Sequence, residues 1–324
     1  MRELSYAEAL VESLSEVMEE DERVHLIGSY FLGLHPKRVL LNRLREKFGP
    51  RVVDPPISEI GYCGLGIGAA MAGLRPIVDV ATASFLFQAW PQVVNEAANA
   101  FYMTGGQTRV PIVFHLLHGL RGGGAAQHSH SPQAMLWNTP GLEIMLPSSP
   151  RDVKGLLKSA VRSDNPTIFV DHVRLFDLEG PVPHGDGAIP FGQAEVKRAG
   201  RDVTVVATSY MVQRALQVAE GLAREGIDVE VVDPRTLVPL DEAAILASVA
   251  KTGRLLVVDE AFAPCSLGAE IAARVADAGF DDLDAPIRRL NGAFAPTPYS
   301  PPLEKAVVPQ VEDIARAIRE LARE

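Results

Sequence analysis

Residues 52–82 read VVDPPISEIGYCGLGIGAAMAGLRPIVDVAT. Val52–Asp54 and Arg75–Thr82 are short apolar runs, which is typical of buried strands. Between them, about Ser58–Ala72 has the pattern of a helix that begins after two prolines and a serine. A strand, a helix and a second strand in this order form a βαβ unit, whose two strands run parallel. The stretch therefore predicts an α/β fold built on a parallel sheet.

The same alternation continues on both sides of this stretch. The first helix is predicted to begin at Ser5, where Glu8 completes a capping box. Before residue 178, we predict further strands at Val24–Gly28, Val110–His115, Glu143–Pro147 and Pro166–Asp171, and further helices at Phe85–Met103 and Ser149–Arg162. Alternating strands and helices indicate a parallel sheet with helices on both faces.

A stretch rich in glycine and proline, about Leu178–Gly192, is typical of a linker between domains. The alternation then resumes, with strands predicted at Val203–Ser209, Val229–Asp233, Leu255–Asp259 and Ile287–Leu290, and helices at Met211–Arg224, Asp241–Ala250, Gly268–Ala278 and Pro309–Arg323. We therefore predict two α/β domains, residues 1–185 and residues 186–324.

Composition excludes several classes of protein. The 324-residue chain carries 31 Lys and Arg against 41 Asp and Glu, a formal net charge of −10, which disfavours binding to nucleic acid. Its two cysteines, Cys63 and Cys265, exclude a disulfide framework and favour a reducing compartment. No apolar run is long enough to span a membrane, and the acidic, amphipathic start resembles neither a signal peptide nor a transit peptide. We therefore expect a cytoplasmic protein with neither a membrane nor a nucleic-acid partner.

Three kinds of motif admit both a ligand-binding and a structural interpretation. Residues 64–69, GLGIGA, could bind a dinucleotide, but close packing of a helix on a sheet explains them equally well. Residues 115–118, HLLH, and 128–130, HSH, could hold zinc, but they lack a fourth ligand. Residues 185–187, GDG, are how thiamine diphosphate enzymes begin a magnesium site, but no Asn follows at the required spacing. A turn is the simpler interpretation of the last motif.

Two features favour a ligand site. Glu59 follows a strand and opens an otherwise apolar helix, so it either complements the helix dipole or meets a ligand at the strand-to-helix switch point. Gly- and Ala-rich residues 119–126 lead into Gln127, His128 and Ser129. Small residues permit close approach of a ligand, and His moves protons near neutral pH, although a structural loop is the alternative.

Several long segments together resemble one family over nearly the whole chain. They are PPISEIGYCGLGIGAAMAGLRPIVDV (55–80), ANAFYMTGGQTRVPIVF (98–114), AAQHSHSPQAM (125–135), DVKGLLKSAVRSDNPTIFVDH (152–172), VEVVDPRTLVPLD (229–241) and GRLLVVDEA (253–261). The family is the β subunit of the decarboxylating component of 2-oxoacid dehydrogenase complexes, of the pyruvate, branched-chain and acetoin types. The resemblance implies a transketolase-like pyrimidine-binding domain followed by a transketolase C-terminal α/β domain.

The resemblance implies roles for four side chains. Glu59 matches a glutamate that hydrogen-bonds the aminopyrimidine ring of thiamine diphosphate. Phe85 matches an aromatic residue that packs beside this ring, and Gln88 lies near it on the same predicted helix. His128 matches a histidine of the active-site channel, either a proton donor or an acylation partner. We therefore expect Glu59 and His128 to be catalytic, and Glu59, Phe85 and Gln88 to bind the cofactor.

The resemblance also implies ions and partners. An α2β2 assembly is expected, in which a separate α subunit binds the pyrophosphate and magnesium, so that this chain alone is inactive. A lipoyl acyltransferase is the expected acceptor of the acyl group. Family members bind potassium through backbone carbonyls, here those of Ile112, Ala160, Val161, Ser163 and Asn165, although Ser163 stands where Asp is common. An ordinary turn is the alternative.

The chain departs from the family at Ser29–Leu34, Ala81–Ser84, Pro91 and His115–Gly119, so its acyl substrate stays open. The two added imidazoles, at 115 and 118, suggest the hypothesis of a polar or acidic substrate. We expect decarboxylation of a 2-oxo acid and transfer of the acyl group to a lipoyl partner. The alternatives are an acetoin-cleaving or transketolase-like lyase or ligase subunit that does not use lipoate, and a non-catalytic regulatory subunit that retains the fold.

Overall fold

The computed structural model describes residues Met1–Glu324, which form two compact units. Unit 1 comprises Met1–Gly119 and Met135–Phe191, and unit 2 comprises Leu120–Ala134 and Gly192–Glu324. The segment Leu120–Ala134 therefore packs with unit 2, although it lies within the sequence range predicted for the first domain.

Unit 1 is built on parallel strands. The strands are Arg2–Ser5 (β1), Val24–Ile27 (β2), Val52–Val53 (β3), Arg75–Thr82 (β4), Val113–His118 (β5), Glu143–Met145 (β6), Thr167–His172 (β7) and Glu179–Val182 (β8). The order β6-β7-β5-β4-β2-β3 is parallel throughout. The carboxyl ends of these strands therefore meet at one edge, where open α/β sheets bind ligands.

The helices up to residue 162 are Tyr6–Glu20 (α1), Leu41–Phe48 (α2), Glu59–Met71 (α3), Ala100–Met103 (α4), Gln133–Trp137 (α5) and Pro150–Arg162 (α6). Helix α1 begins at the predicted capping box, in which the Ser5 amide donates to Glu8 over 2.9 Å. Helix α6 buries Lys154 and Lys158, whose ammonium groups pair with glutamates of α1, Glu16 among them at 2.7 Å. Paired charges make the burial of these lysines tolerable.

The long helix predicted at Phe85–Met103 is broken in the structure. A 3-10 helix spans Ala83–Ala89, a π-helical turn spans Gln92–Ala97, and only α4 is a regular α-helix. Pro91 lies between the first two pieces, and its missing N–H interrupts a regular helical ladder. The apolar spacing of the segment is helical, but it does not reveal where the ladder changes register.

The predicted linker also contains a strand. β8 pairs antiparallel with β1, with Gly180 opposite Leu4 and Val182 opposite Arg2. Gly180 and Val182 are buried while Glu179 and Pro181 are exposed, which is the alternation of an edge strand. Pro181 is tolerated because an edge strand needs no N–H on its open side.

Unit 2 contains strands Glu195–Arg198 (β9), Val203–Ala207 (β10), Val229–Asp233 (β11), Thr236–Val238 (β12), Leu255–Phe262 (β13) and Arg288–Gly292 (β14). Its helices are Tyr210–Ala223 (α7), Glu242–Thr252 (α8), Leu267–Ala278 (α9), Pro301–Ala306 (α10) and Val311–Leu321 (α11). The sheet order is β14-β13-β10-β11-β9, with only β9 antiparallel. Helices α7 and α11 cover a core of Val, Leu and Ile side chains from β10, β11 and β13.

No helix of the structure is long and apolar enough to cross a membrane.

Candidate functional site

Glu59 is a buried carboxylate without a partner in its own chain. It is the first residue of α3 and is 7 % exposed, whereas its neighbours Ile57 and Ile60 are 82 % and 51 % exposed. Its side chain makes no hydrogen bond and no ion pair within the chain. Its oxygens are absent from the buried polar atoms that lack a partner, so they still reach the surface and are available to a hydrogen-bonding group supplied from outside the chain.

The groups around Glu59 stay protonated. Burial, reinforced by the negative charge of Glu59, raises the pKa of the Cys63 thiol to about 12. Burial and the same carboxylate also raise the pKa of the Tyr62 hydroxyl. Because Cys63 is buried and remains a thiol, it is not a nucleophile at neutral pH. The chemistry at this end of α3 therefore belongs to the carboxylate.

Phe85 and Gln88 lie on the 3-10 helix Ala83–Ala89, which packs against α3. Phe85 is half-buried and Gln88 is exposed. Unit 1 thus brings together the elements that carry the three residues expected to bind the cofactor. An exposed Gln and a half-exposed ring beside a buried carboxylate leave polar and apolar surface available to a heteroaromatic ligand.

The glycines of residues 64–69 form part of a helix, and Gly66 serves its packing on the sheet. They lie inside α3 rather than in a loop before it, so they do not form a dinucleotide-binding turn. A Cβ at Gly66 would come within 2.5 Å of Val78 in β4, which shows how closely the helix lies on the sheet. In the GDG turn, Asp186 pairs with Arg162 and Lys158, at 2.6 Å and 3.5 Å respectively. These ion pairs account for that aspartate.

His128 belongs to the segment of unit 2 that follows β5. It ends a one-turn 3-10 helix, Ala126–His128, and is half-buried. The next residue, Ser129, is buried and its hydroxyl has no hydrogen-bond partner. His130 packs edge-on against Phe262 at 6.3 Å between ring centroids, and burial lowers the pKa of its imidazole. The segment therefore places a half-buried imidazole directly before a buried hydroxyl that has no hydrogen-bond partner.

Sequence reasoning missed a buried charged network in unit 1. His115 is fully buried in β5 between two carboxylates, with Nε2 2.8 Å from Asp171 and Nδ1 3.3 Å from Asp79. The Tyr6 hydroxyl donates to the other oxygen of Asp171. Burial alone would lower the pKa of His115, but the hydrogen bonds and charges of Asp171 and Asp79 outweigh it and raise the pKa to about 9. His115 is therefore a cation in the core.

This network bears on the hypothesis of a polar or acidic substrate. Both ring nitrogens of His115 are engaged, so this imidazole is not available to a substrate. His118 is also buried, and its ring meets that of His172 edge-on at 4.8 Å. Neither imidazole is exposed to solvent, and the hypothesis loses its support. One signal in the sequence could have indicated the network. Asp79, His115 and Asp171 each stand among apolar residues of a predicted strand.

The residues expected to bind potassium lie together at the start of β7, but a cation of the chain already contacts two of them. Arg75 Nη1 donates to the carbonyls of Val161 and Ser163 at 3.0 Å and 2.8 Å, and its Nη2 donates to Asp164. The carbonyls of Ile112 and Ala160 accept backbone bonds from Thr167 and Ser163. The donor set therefore does not fit the ion as expected, and potassium stays a prediction.

Comparison with known proteins decides the family. The model of the transketolase pyrimidine-binding domain matches residues 2–177, and the model of the transketolase C-terminal domain matches residues 192–314. The pyruvate dehydrogenase E1 component subunit beta of Rickettsia felis is 41% identical over 320 residues, which are 98% of each chain. The chain belongs to this family of E1 β subunits.

Other E1 β subunits and a transketolase support the assignment. The mitochondrial pyruvate dehydrogenase E1 subunit beta-2 of Oryza sativa is 42% identical over 323 residues, covering 98% of this chain and 86% of the relative. The beta subunit of the acetoin:2,6-dichlorophenolindophenol oxidoreductase of Bacillus subtilis is 40% identical over 336 residues, covering 100% and 98%. A split-gene transketolase, described as an inactive beta4 tetramer, has a TM-score of 0.80 at 20% identity over 99% of this chain and 98% of its own. The predicted transketolase-like two-domain fold is confirmed.

Proposed function

We propose that this chain is the β subunit of a thiamine diphosphate-dependent 2-oxoacid dehydrogenase, and that Glu59 binds the aminopyrimidine half of the cofactor. The observation that carries the proposal is Glu59, a largely buried residue at the start of α3 whose carboxylate has no partner in the chain. An aminopyrimidine ring offers a nitrogen that can share a proton with such a carboxylate. Family membership makes thiamine diphosphate the cofactor that contains this ring.

Each residue of the proposed site has its own role. When bound, thiamine diphosphate supplies the carbon nucleophile and the electron sink for decarboxylation. Glu59 holds a proton at the pyrimidine nitrogen, and its neighbours Tyr62 and Cys63 stay neutral, so they do not compete for that proton. Phe85 offers an aromatic face to the ring, and Gln88 an exposed amide. His128 moves a proton to or from the substrate during acyl transfer.

We further propose the partners that the family implies. A separate α subunit binds the pyrophosphate and magnesium in an α2β2 assembly, and a lipoyl acyltransferase accepts the acyl group. The ion-paired Asp186 supports this division, because the GDG turn of this chain is occupied by its own basic residues. A cytoplasmic location belongs to the same proposal, whereas the contacts of Arg75 with the carbonyls of Val161 and Ser163 argue against the expected potassium site.

Steady-state turnover of the α2β2 complex tests the role of Glu59. We expect Glu59→Gln to lower kcat for 2-oxo acid decarboxylation at least roughly a hundredfold, the usual contribution of a positioned proton-transfer group. Glu312→Gln, an exposed carboxylate on α11, is the control and should keep full turnover. Equal turnover of the Glu59→Gln complex and the unmodified complex would overturn the assignment.

A stability measurement separates a functional from a structural Glu59. Because Glu59 has no partner in the chain to lose, Glu59→Gln should change the free energy of unfolding by less than about 0.5 kcal/mol or raise it. Urea denaturation of the full-length chain gives this number. A loss of several kcal/mol would indicate a structural carboxylate.

The likeness to an acetoin oxidoreductase β subunit favours one alternative for the substrate. An enzyme of that kind takes acetoin as the acyl donor. Turnover of the same complex with acetoin and with a series of 2-oxo acids distinguishes the two donors, without changing the role proposed for Glu59.

A further inference from the structure

A glycine turn precedes His128 and has an unusual backbone. Gly122 and Gly123 have φ of +76° and +93°, the left-handed region in which L side chains are strained. Consecutive residues of this kind can aim neighbouring backbone N–H groups at one point, which makes a concavity suited to an anionic group. The turn is therefore suited to a negative partner, and unit 2 supplies one.

Glu304 is that partner. It lies on α10 and is 2 % exposed. The amide of Gly122 donates to Oε1 at 3.2 Å, and the amide of Gly123 donates to both oxygens, each at 3.2 Å. No Lys or Arg pairs with this carboxylate, and these two glycine amides are its only partners. A buried carboxylate contributes little to the stability of the fold, because an apolar side chain of similar size could be buried at lower cost. Its value lies in the conformation it imposes on the turn.

Two further carboxylates fasten the ends of the same segment. The amide of Leu120 donates to Glu260 Oε1 at 3.2 Å, and Gln133 Nε2 donates to Asp259 Oδ1 at 3.3 Å. Asp259 and Glu260 both belong to β13. The segment Leu120–Ala134 is thus held at its start and its end by one strand, and between these points by Glu304.

The position of the turn reaches His128 through close packing. A Cβ at Gly124 would lie 2.7 Å from Arg121 Cγ and 2.8 Å from the Ser129 hydroxyl. Gly124 therefore lies close against the side chain of Ser129, the residue that follows His128. Because protein interiors are closely packed, we expect a change in the backbone at Gly122 or Gly123 to displace Ser129 and, through it, the ring of His128.

We propose that Glu304 is a positioning residue, which fixes the place of His128 by binding the amides of Gly122 and Gly123. This inference rests on the proposed function, in which His128 moves a proton. Glu304 itself is buried away from solvent and acts through the segment rather than on the substrate.

Limited proteolysis of the full-length chain tests the hold on the turn. Arg121 is the only Lys or Arg in Leu120–Ala134, so trypsin cuts this segment only at the bond from Arg121 to Gly122. Releasing the hydrogen bonds of the Gly122 and Gly123 amides should raise the rate of this cut roughly tenfold or more in Glu304→Ala, as local opening becomes easier. Mass spectrometry quantifies the new amino terminus at Gly122. An unchanged rate would overturn the proposal.

The conservative variant Glu304→Gln provides a second test in case Glu304→Ala does not fold. In Glu304→Gln, the remaining side-chain oxygen can still accept from the amide of Gly122. The new NH2 group faces the amide of Gly123 and cannot accept from it, so an intermediate rate of cutting is expected. Glu312→Gln is the matched control and should be cut at the original rate. Equal rates for Glu304→Gln, the control and the unmodified chain would contradict the proposal.

Turnover of the α2β2 complex tests the connection to His128. Glu304→Gln should lower kcat with little change in KM for the 2-oxo acid, and the double variant Glu304→Gln/His128→Ala should be no slower than His128→Ala. This lack of additivity marks two residues that act as one unit. If the losses in kcat caused by the two substitutions instead multiply in the double variant, the proposal is overturned. Full turnover of His128→Ala would instead overturn the proposed role of His128, whereas the trypsin result alone decides whether Glu304 holds the turn.

Discussion

At the scale of single residues, the partners of the buried carboxylates separate function from structure. Asp171 accepts from Tyr6 and His115, and Glu304 accepts from two backbone amides, so the burial of each is compensated within the chain. Glu59 has no such partner. A carboxylate that has no partner in its own chain is free to accept a hydrogen bond from a ligand. This contrast supports the proposed role of Glu59, and family membership identifies the ligand as thiamine diphosphate.

The core cation His115 should be among the most sensitive positions of unit 1. His115→Leu leaves Asp79 and Asp171 buried without their counter-charge, which should cost about 3–5 kcal/mol of unfolding free energy. The control is His35→Leu, because the partner of His35, Asp177, is 73 % exposed. That change should cost at most about 1 kcal/mol. Similar losses for the two variants in urea denaturation would refute the importance of the network.

Asp259 should make the protein less stable as pH rises. Burial, reinforced by the charge of Glu260, raises the pKa of Asp259 from its ordinary 3.8 to about 7. The folded state therefore binds a proton that the unfolded state releases, so stability is lost as pH rises between these two values. A shift of this size corresponds to roughly 4 kcal/mol. Asp259→Asn does not titrate, so its stability relative to the unmodified protein should increase from pH 4 to pH 8. A difference that stays constant with pH would contradict this prediction.

The sequence predicted some residues of the site and could not predict others. Glu59 stood out because a single carboxylate opens an apolar helix, and His128 because a run of glycines precedes it. Glu304 gave no signal, since it follows two prolines in an ordinary helical turn and meets its partners from far along the chain. Partnerships of this kind depend on tertiary contacts, which spacing in the sequence does not encode.

At the scale of elements, helix α3 shows how glycines set the distance between a helix and a sheet. A Cβ at Gly66 would meet Val78 and Ile112 at 2.5 Å and 3.1 Å, whereas nothing lies within 4 Å of a Cβ at Gly68. Gly66→Ala should therefore destabilise the chain by about 1–3 kcal/mol through overpacking. Gly68→Ala, on the same helix, should stabilise it by up to about 1 kcal/mol through helix propensity. Equal effects of the two substitutions on thermal unfolding would show that the close approach is not tightly packed.

Elements were predictable where one physical signal dominates. The strand Arg75–Thr82 has the predicted bounds, and the capping box places the start of α1. The strand predicted at Val110–His115 begins instead at Val113, because Pro111 cannot donate to the ladder. The segment after β4 and the strand β8 were missed for related reasons. In the segment after β4, helical apolar spacing outweighed the signal of Pro91. In β8, proline and glycine suggested a loop, whereas pairing with the distant strand β1 makes the segment a strand.

At the scale of the whole molecule, the chain presents apolar surface that a subunit would bury. Ile60, Leu65 and Met71 on α3 and Tyr102 and Met103 beyond it are all exposed. Apolar side chains grouped near the residue proposed to bind the cofactor are typical of a surface that meets a partner. We therefore expect part of the 47% hydrophobic content to serve an interface rather than the core. The same expectation explains why the chain alone should be inactive.

Direct titration of thiamine diphosphate tests the central claim most directly. Isothermal titration calorimetry in the presence of magnesium compares this chain alone, the α2β2 complex, and the same complex with Glu59→Ala. We predict no measurable binding to the chain alone, saturable binding to the complex, and a large loss of affinity in the Glu59→Ala complex. Glu312→Ala should bind as the unmodified complex does. Undiminished binding to the Glu59→Ala complex would contradict the account.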